Sequence, residues 1–169
     1  DPNTGRVTVP DKRLWVLKGV EAVLNYRLGD HAAGFKAAIF ACTERPKEND
    51  IATVLVDTTR NYVQQDEKTV MQAAADAPPA VRKQILLGVA RVKYDVAKDF
   101  AACESTLDEA LKLDDAFANG YLWRGHTRRK LKKWDGALAD YEKVCELVPS
   151  MKNNLKATMD AVRKQIEDP

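Results

Sequence analysis

The stretch ANGYLWRGHTRRKLKKWDGALADYEKVCELVP, residues 118–149, decides the fold. Its informative residues follow one another at intervals of nine, three, four and eight: Gly125, Trp134, Ala137, Tyr141 and Pro149. Small residues let two helices approach closely, aromatic rings fill the space around them, and proline ends the second helix. The stretch therefore predicts two antiparallel helices joined by a short turn.

A weaker copy of this stretch lies 34 residues earlier in the chain. Phe100 stands at the place of Trp134, and Cys103 stands at the place of Ala137. Candidate helix ends recur at intervals of 33, 36 and 34 residues, at Pro46, Pro79, Asp115 and Pro149. A period of this length is typical of helical-repeat proteins, in which each unit covers the apolar side of its neighbour.

The first half of the chain follows the pattern less regularly. Residues 12–28 carry apolar side chains at helical spacing, and Gly29 with Asp30 indicates a turn before a second helix. Residues 50–64 and 66–76 predict a further helical pair, although β-branched residues in the first of these segments form isolated helices poorly. The pair is still predicted to be helical, because it fills the gap in the period.

An amphipathic segment follows Pro149 and can close the stack of helices. Its apolar stripe consists of Met151, Leu155, Met159, Val162 and Ile166. A repeat array leaves the apolar side of its last unit open, so a closing helix over residues 150–167 is expected.

The segments LKLDDAFANGYLWRG and WDGALADYEKV resemble the tetratricopeptide repeat (TPR), and they are similar to the repeats of J-domain and other chaperone adaptor proteins. The resemblance implies an all-α fold, a right-handed α-solenoid of about four helical hairpins with a C-terminal capping helix. We expect a single domain over residues 11–169, and an extended arm or linker over residues 1–10. Repeats are expected at about 12–46, 48–79, 82–115 and 118–149.

Composition excludes several other classes of protein. The chain has 169 residues, of which 45% are hydrophobic and 31% charged, and its net charge is only +2, which is typical of a globular domain and not of a disordered chain. No run approaches the ~18 apolar residues that a membrane-spanning helix needs. Because the chain begins with Asp1, we expect a fragment or a processed form, from which a targeting segment could have been removed.

The residues do not form a catalytic constellation. Neither His31 nor His126 has the spacing to cysteine or acidic residues that a metal site requires, so no metal or cofactor is expected. The cysteines Cys42, Cys103 and Cys145 are too few for a disulfide framework, and they predict reduced thiols in a cytoplasmic compartment. The sequence therefore favours a non-enzymatic protein.

The resemblance to TPR proteins implies a concave groove lined by the first helix of each repeat. Alignment to the family's groove positions selects Val23, Tyr26, Arg27, Val56, Arg60, Ile85, Val92, Asn119, Leu122, His126, Arg129 and Lys130. An aliphatic floor with cationic margins favours a peptide or helix that carries apolar and acidic residues. The expected function is that of an interaction scaffold or adaptor, similar to a co-chaperone.

Chaperone-binding TPR proteins hold a C-terminal peptide with a two-carboxylate clamp of lysine, asparagine and arginine. The corresponding positions here hold Gly19, Val23, Thr53, Gln84 and Gly88, and none of them matches. The sequence therefore argues against binding of chaperone tails through this clamp.

RNA binding is the alternative function. Residues 118–169 carry an excess of four positive charges, mostly within residues 124–133, and Trp123 and Trp134 lie nearby. Aromatic and cationic side chains together can hold single-stranded RNA. However, Trp134 matches a core position of the repeat, and a pI near 8.4 is low for a nucleic-acid-binding domain.

Overall fold

The structure is a computed structural model that describes the backbone of residues 11–167 and the side chains of residues 14–167. The arm predicted for residues 1–10 lies outside the described residues. Within residues 11–167 the chain forms nine α-helices and no strand. The helices are α1 (Asp11–Leu28), α2 (His31–Glu44), α3 (Asn49–Tyr62), α4 (Glu67–Asp76), α5 (Pro79–Val92), α6 (Phe100–Leu113), α7 (Ala118–Lys130), α8 (Trp134–Leu147) and α9 (Lys152–Glu167). The predicted all-α helical-repeat class is confirmed.

The helices divide into two compact units, and the boundary falls inside α5 between Val81 and Arg82. The first unit holds α1 to α4, and the second holds most of α5 and all of α6 to α9. The single domain and its repeat boundaries stay predictions. No helix in the described part of the chain is long and apolar enough to cross a membrane.

The first unit is built on a close approach of α1 and α2. A Cβ atom at Gly34 would lie 3.2 Å from the carbonyl oxygen of Ala22, so glycine allows the two backbones to meet. The ring of Phe35 is fully buried, and its centroid lies 5.5 Å from that of Tyr62 on α3. Apolar burial of this kind is the main favourable term in folding.

Helix α3 accommodates its β-branched residues through hydrogen bonds to its own backbone. The Thr58 hydroxyl donates to the carbonyl oxygen of Val54 at 2.9 Å, and the Thr59 hydroxyl donates to that of Leu55 at 2.7 Å. Both threonines are buried, so these bonds remove the cost of an unsatisfied hydroxyl in the core. The helix predicted over residues 50–64 is therefore present despite its low intrinsic propensity.

The turns between paired helices share one backbone conformation. Gly29, Lys98 and Lys132 all have positive φ, at 81°, 55° and 57°, and each stands two residues before the next helix. The following residues Asp30 and Asp99 cap their helices by accepting a hydrogen bond from a backbone amide at 3.0 Å and 2.9 Å. The last two of these turns are 34 residues apart, so the period read from the sequence recurs in the backbone.

The core of the second unit joins α7, α8 and α9. Its buried residues are Ala137, Tyr141, Val144, Leu155 and Val162. A Cβ atom at Gly125 of α7 would lie only 2.8 Å from the Tyr141 ring, so glycine lets the helix rest on the ring, as the sequence predicted. The predicted apolar stripe of α9 is confirmed, because its remaining members, Met151, Met159 and Ile166, pack against this core.

Candidate interaction surfaces

The basic segment at residues 124–133 is largely neutralised by carboxylates within the second unit. Arg124 donates to Asp108 at 2.7 Å and to Asp140 at 2.7 Å. Arg128 donates to Asp140 at 3.0 Å and to Glu104 at 2.9 Å. Since α6 and α8 supply these carboxylates, the two arginines join three helices and are not open to a ligand.

Lys133 also takes part in this network, because its ammonium group donates to Glu104 at 2.6 Å. Three cations of the segment remain, and none of them forms an ion pair with a carboxylate of residues 14–167: Arg129, Lys130 and Lys132. The predicted cationic patch therefore shrinks to about half its size.

Hydrogen bonds also set the charge state within this network. Burial alone would raise the pKa of Glu104, but the hydrogen bonds from Lys133 and Arg128 hold it below its ordinary value. Burial alone would lower the pKa of Arg124, but its bonds to Asp140 and Asp108 raise it instead. Both groups are therefore charged throughout the physiological pH range.

This pKa shift predicts a loss of stability in acid. A carboxyl group whose pKa is lower in the folded state stabilises the fold above its unfolded pKa of about 4.3, and this contribution disappears as the pH falls through the folded value. Glu104→Gln is therefore expected to flatten the dependence of unfolding free energy on pH below about pH 5. Urea titrations between pH 3 and 7 measure this, and Glu109→Gln, on an exposed site of the same helix, is the control. Equal pH dependence in wild type and Glu104→Gln would contradict the assignment.

A row of aromatic rings crosses the second unit beside these charges. The ring centroid of Tyr94 lies 5.3 Å from that of Phe100 and 5.5 Å from that of Trp123. The row continues to His126 at 5.9 Å from Trp123, and to Tyr141 at 5.5 Å from His126. The edge-to-face arrangements within it are favourable for aromatic pairs. We call these five residues the aromatic row.

Cationic groups border the aromatic row. The Arg91 guanidinium lies 4.9 Å from the centroid of Trp123, in cation–π geometry. His126 shares a hydrogen bond of 2.8 Å between Nδ1 and the Tyr141 hydroxyl. Burial lowers the pKa of His126, and the nearby charge of Arg129 lowers it further, so the imidazole is neutral near pH 7. The row thus presents half-buried rings next to guanidinium groups.

The predicted site residues of α7 share one face of the helix. Asn119 and Lys130 are exposed, whereas Leu122, His126 and Arg129 are half-buried. The intervals of three and four residues between them bring them to one side of the helix. The sequence reasoning missed the ring of Trp123 as a member of this surface.

Helix α5 does not present the residues that were predicted. Ile85 is fully buried, and Val92 is half-buried. The segment Lys93–Ala97 is π-helical, and the Lys98 amide donates to the carbonyl of Lys93. A π-helical turn holds one residue more than an α-helical turn, so α5 is shifted by one position relative to α7.

This shift corrects the prediction for the third repeat. With one extra residue, Arg91 takes the place that corresponds to His126, and the assignment of Ile85 to a contact surface is removed. Tyr94, inside the π-helical turn, joins the aromatic row. A run of residues before Asp99 that is one longer than the period would be the only sequence signal for this change.

The first unit contains a cleft between α1 and α3. Its volume is about 200 Å³, and its lining consists of Val23, Tyr26, Arg27, Val54, Asp57 and Thr58. The structure therefore brings together the three residues predicted from the first repeat. Arg60 lies near the cleft, with its guanidinium 3.9 Å from the carboxylate of Asp57.

Val56, in contrast, is 5% exposed and belongs to the core. The α3 residues that line the cleft are Val54, Asp57 and Thr58, two positions before the predicted ones. The prediction was misaligned because the turn after α3 lacks the glycine–aspartate pair that marks the turn after α1. Val56 is therefore removed from the contact surface.

The residues available for metal or redox chemistry are dispersed. Among the described residues, no three His, Cys, Asp or Glu side chains are placed to hold a metal ion. The three cysteines are free thiols, and Cys42 and Cys103 are buried. Burial raises the pKa of the Cys103 thiol, which keeps it protonated and unreactive.

Comparison of the sequence with protein-family models finds no match, and comparison with curated proteins finds none either. Solved structures are similar in fold. The first TPR domain of Spaghetti (RPAP3), bound to the HSP90 peptide SRMEEVD, matches 93% of this chain and 94% of its own, with 20% identity and a TM-score of 0.41. The first TPR domain of human RPAP3 matches 93% of this chain and 98% of its own, with 17% identity and a TM-score of 0.40.

A TPR protein of the thermophile Thermus thermophilus, TTC0263, is also similar. The match covers 90% of this chain and 82% of that one, with 17% identity and a TM-score of 0.51. The similarity extends over both units of the present chain. With the repeated turns, the 34-residue period and the all-α architecture, it shows that this chain has the fold of the tetratricopeptide-repeat proteins.

Proposed function

We propose that the chain is a non-catalytic interaction module that binds a segment of a partner protein on the first helices of its repeats. The observation that carries the proposal is the face of α7, where Leu122, His126 and Arg129 lie together beside the aromatic row. Half-buried rings and aliphatic groups can desolvate a ligand side chain, and an adjacent guanidinium can bind a carboxylate.

The charge of this face favours a ligand with acidic residues. Arg129 and Lys130 form no ion pair with a described carboxylate, whereas Arg124 and Arg128 are fully engaged. A peptide that places an acidic residue next to an apolar one fits this pattern. Attraction between exposed charges accelerates association and weakens with added salt.

The cleft of the first unit supports a second contact of similar character. Tyr26 and Arg27 stand beside the apolar Val23 and Val54 at a cavity of about 200 Å³, which is large enough for one side chain of a ligand. The free thiols support our further proposal of a reducing, cytoplasmic setting.

The alternative function, RNA binding on residues 124–133, has less support. Arg124, Arg128 and Lys133 are held by carboxylates, which leaves few cations for a phosphate backbone. One face of Trp123 is covered by Arg91, and Trp134 packs against the core of the second unit. Stacking of bases needs an open ring face.

Selection from a phage-displayed library of random peptides tests the proposal on the whole chain. We expect enrichment of peptides that combine acidic and apolar residues, and a loss of affinity of at least tenfold in Arg129→Glu/Lys130→Glu. The synthetic peptide SRMEEVD is expected not to bind, because Gly19, Thr53 and Gln84 stand at clamp positions. Circular dichroism is expected to show unchanged helix content.

Lys152→Glu/Lys156→Glu is the matched control, since both lysines are exposed on α9, away from the aromatic row. This variant changes the net charge equally and is expected to keep wild-type affinity. Equal weakening by both double variants would reduce the effect to overall charge and contradict the α7 site. Tight binding of single-stranded RNA that Arg129→Glu/Lys130→Glu abolishes would favour the alternative.

A further inference from the structure

Helix α1 exposes an apolar face that nothing in the described structure covers. Its exposed residues follow at intervals of three and four: Leu17 (48% exposed), Val20 (52%), Leu24 (53%) and Leu28 (81%). This spacing places all four on one side of the helix. A contiguous group of large apolar residues on a surface indicates an interaction site.

The second unit shows what covers the equivalent face of a first helix. Helices α2 and α8 begin at His31 and Trp134, so Leu17, Val20 and Leu24 of α1 correspond to Gly120, Trp123 and Thr127 of α7. Those three residues face the preceding helical segments: a Cβ atom at Gly120 would lie 2.9 Å from Leu111, Trp123 contacts Tyr94, and Thr127 lies 3.2 Å from the Cys103 sulfur. A helix is therefore the natural occupant of this face.

A second copy of α1 fits the face in charge as well as in polarity. If two α1 helices pack antiparallel about Leu24, Val20 of one copy meets Leu28 of the other. Glu21 then meets Arg27 of the other copy, so apolar groups face apolar groups and an acid faces a base. A two-fold interface requires this kind of self-complementarity.

Head-to-tail stacking of copies does not offer the same fit. It would need an apolar outer face on α9, but the residues of α9 that face away from the core are polar or charged: Lys152, Asn153, Lys156, Asp160, Arg163 and Lys164. We propose that the chain forms a two-fold dimer through α1, centred on Leu24, with Glu21 and Arg27 paired across the interface.

Sedimentation equilibrium of the full chain tests this proposal. The wild type is expected at about twice the monomer mass of 18.9 kDa at micromolar concentrations, and Leu24→Glu is expected at the monomer mass. Val96→Glu is the control, because Val96 is equally exposed (58%) but lies in the second unit. It is expected to remain dimeric.

The charge pair supplies a test that does not depend on core packing. Glu21→Arg and Arg27→Glu are each expected to weaken dimerisation at least tenfold, and the double variant Glu21→Arg/Arg27→Glu is expected to regain most of it. Both residues are on the surface, so these variants should fold even if Leu24→Glu does not. A wild type that stays monomeric up to about millimolar concentration would overturn the proposal, as would a dimer that is indifferent to Leu24→Glu or a double variant no tighter than the single ones.

Discussion

Replacing Tyr141 with alanine is expected to lower the free energy of unfolding of the second unit by about 3–5 kcal/mol. The ring is fully buried among α7, α8 and α9, and α7 rests on it at Gly125. Removal of the ring leaves a cavity that neighbouring helices cannot fill without moving. Urea denaturation followed by far-UV circular dichroism measures the change.

Tyr141→Phe separates the ring from its hydroxyl group. It keeps the packing but removes the 2.8 Å hydrogen bond to Nδ1 of His126, so a loss of only about 1 kcal/mol is expected. A loss below about 1 kcal/mol for Tyr141→Ala would show that the ring does not support the helices. The assignment of the second-unit core would then be wrong.

The second large effect is expected at Asp140, where alanine should lower the free energy of unfolding by about 3 kcal/mol. The Asp140 side chain is 3% exposed and accepts hydrogen bonds from both Arg124 and Arg128. Breaking a buried ion pair by removal of one partner leaves charge without compensation, which costs about 3–5 kcal/mol. We expect the lower end of this range, because Asp108 and Glu104 still hold the two arginines.

Glu142→Ala is the matched control for Asp140→Ala, since it removes a carboxylate from the same helix. Glu142 is exposed and accepts a hydrogen bond of 3.3 Å from Arg163, a contact that contributes at most about 1 kcal/mol. Urea unfolding curves of the two variants are compared at neutral pH. Equal stability of the two would mean that the network joining α6, α7 and α8 contributes little to the fold.

The sequence was sufficient to predict the helical hairpins, because their signals are local. Gly125 and Tyr141 contact each other across one short turn, and the turn itself recurs with the period. The face of α7 followed from the same register. The misplaced residues, Val56 and Ile85, belong to helices whose turns depart from the pattern, by a different connection after α3 and by the π-helical segment after α5.

The ion network shows a different limit of sequence reasoning. Counting charges in residues 124–133 treated Arg124 as open, although Asp108 and Asp140 stand 16 residues to either side of it. That symmetric spacing is the signal that could have been used, because it joins one helix to the second helix of its own hairpin and of the preceding one. Residue counts within a short window cannot detect such partners.

The π-helical turn at Lys93–Ala97 gives this protein a simple route to altered binding preference. Loss of a single residue from that turn would rotate the preceding part of α5 by about 100° about its own axis. Arg91 would leave the ring of Trp123, and an aliphatic neighbour would replace it, while every ligand-facing residue of α7 stayed the same. A one-codon deletion could therefore exchange a cationic border for an aliphatic one, a change that point substitutions would need several steps to achieve.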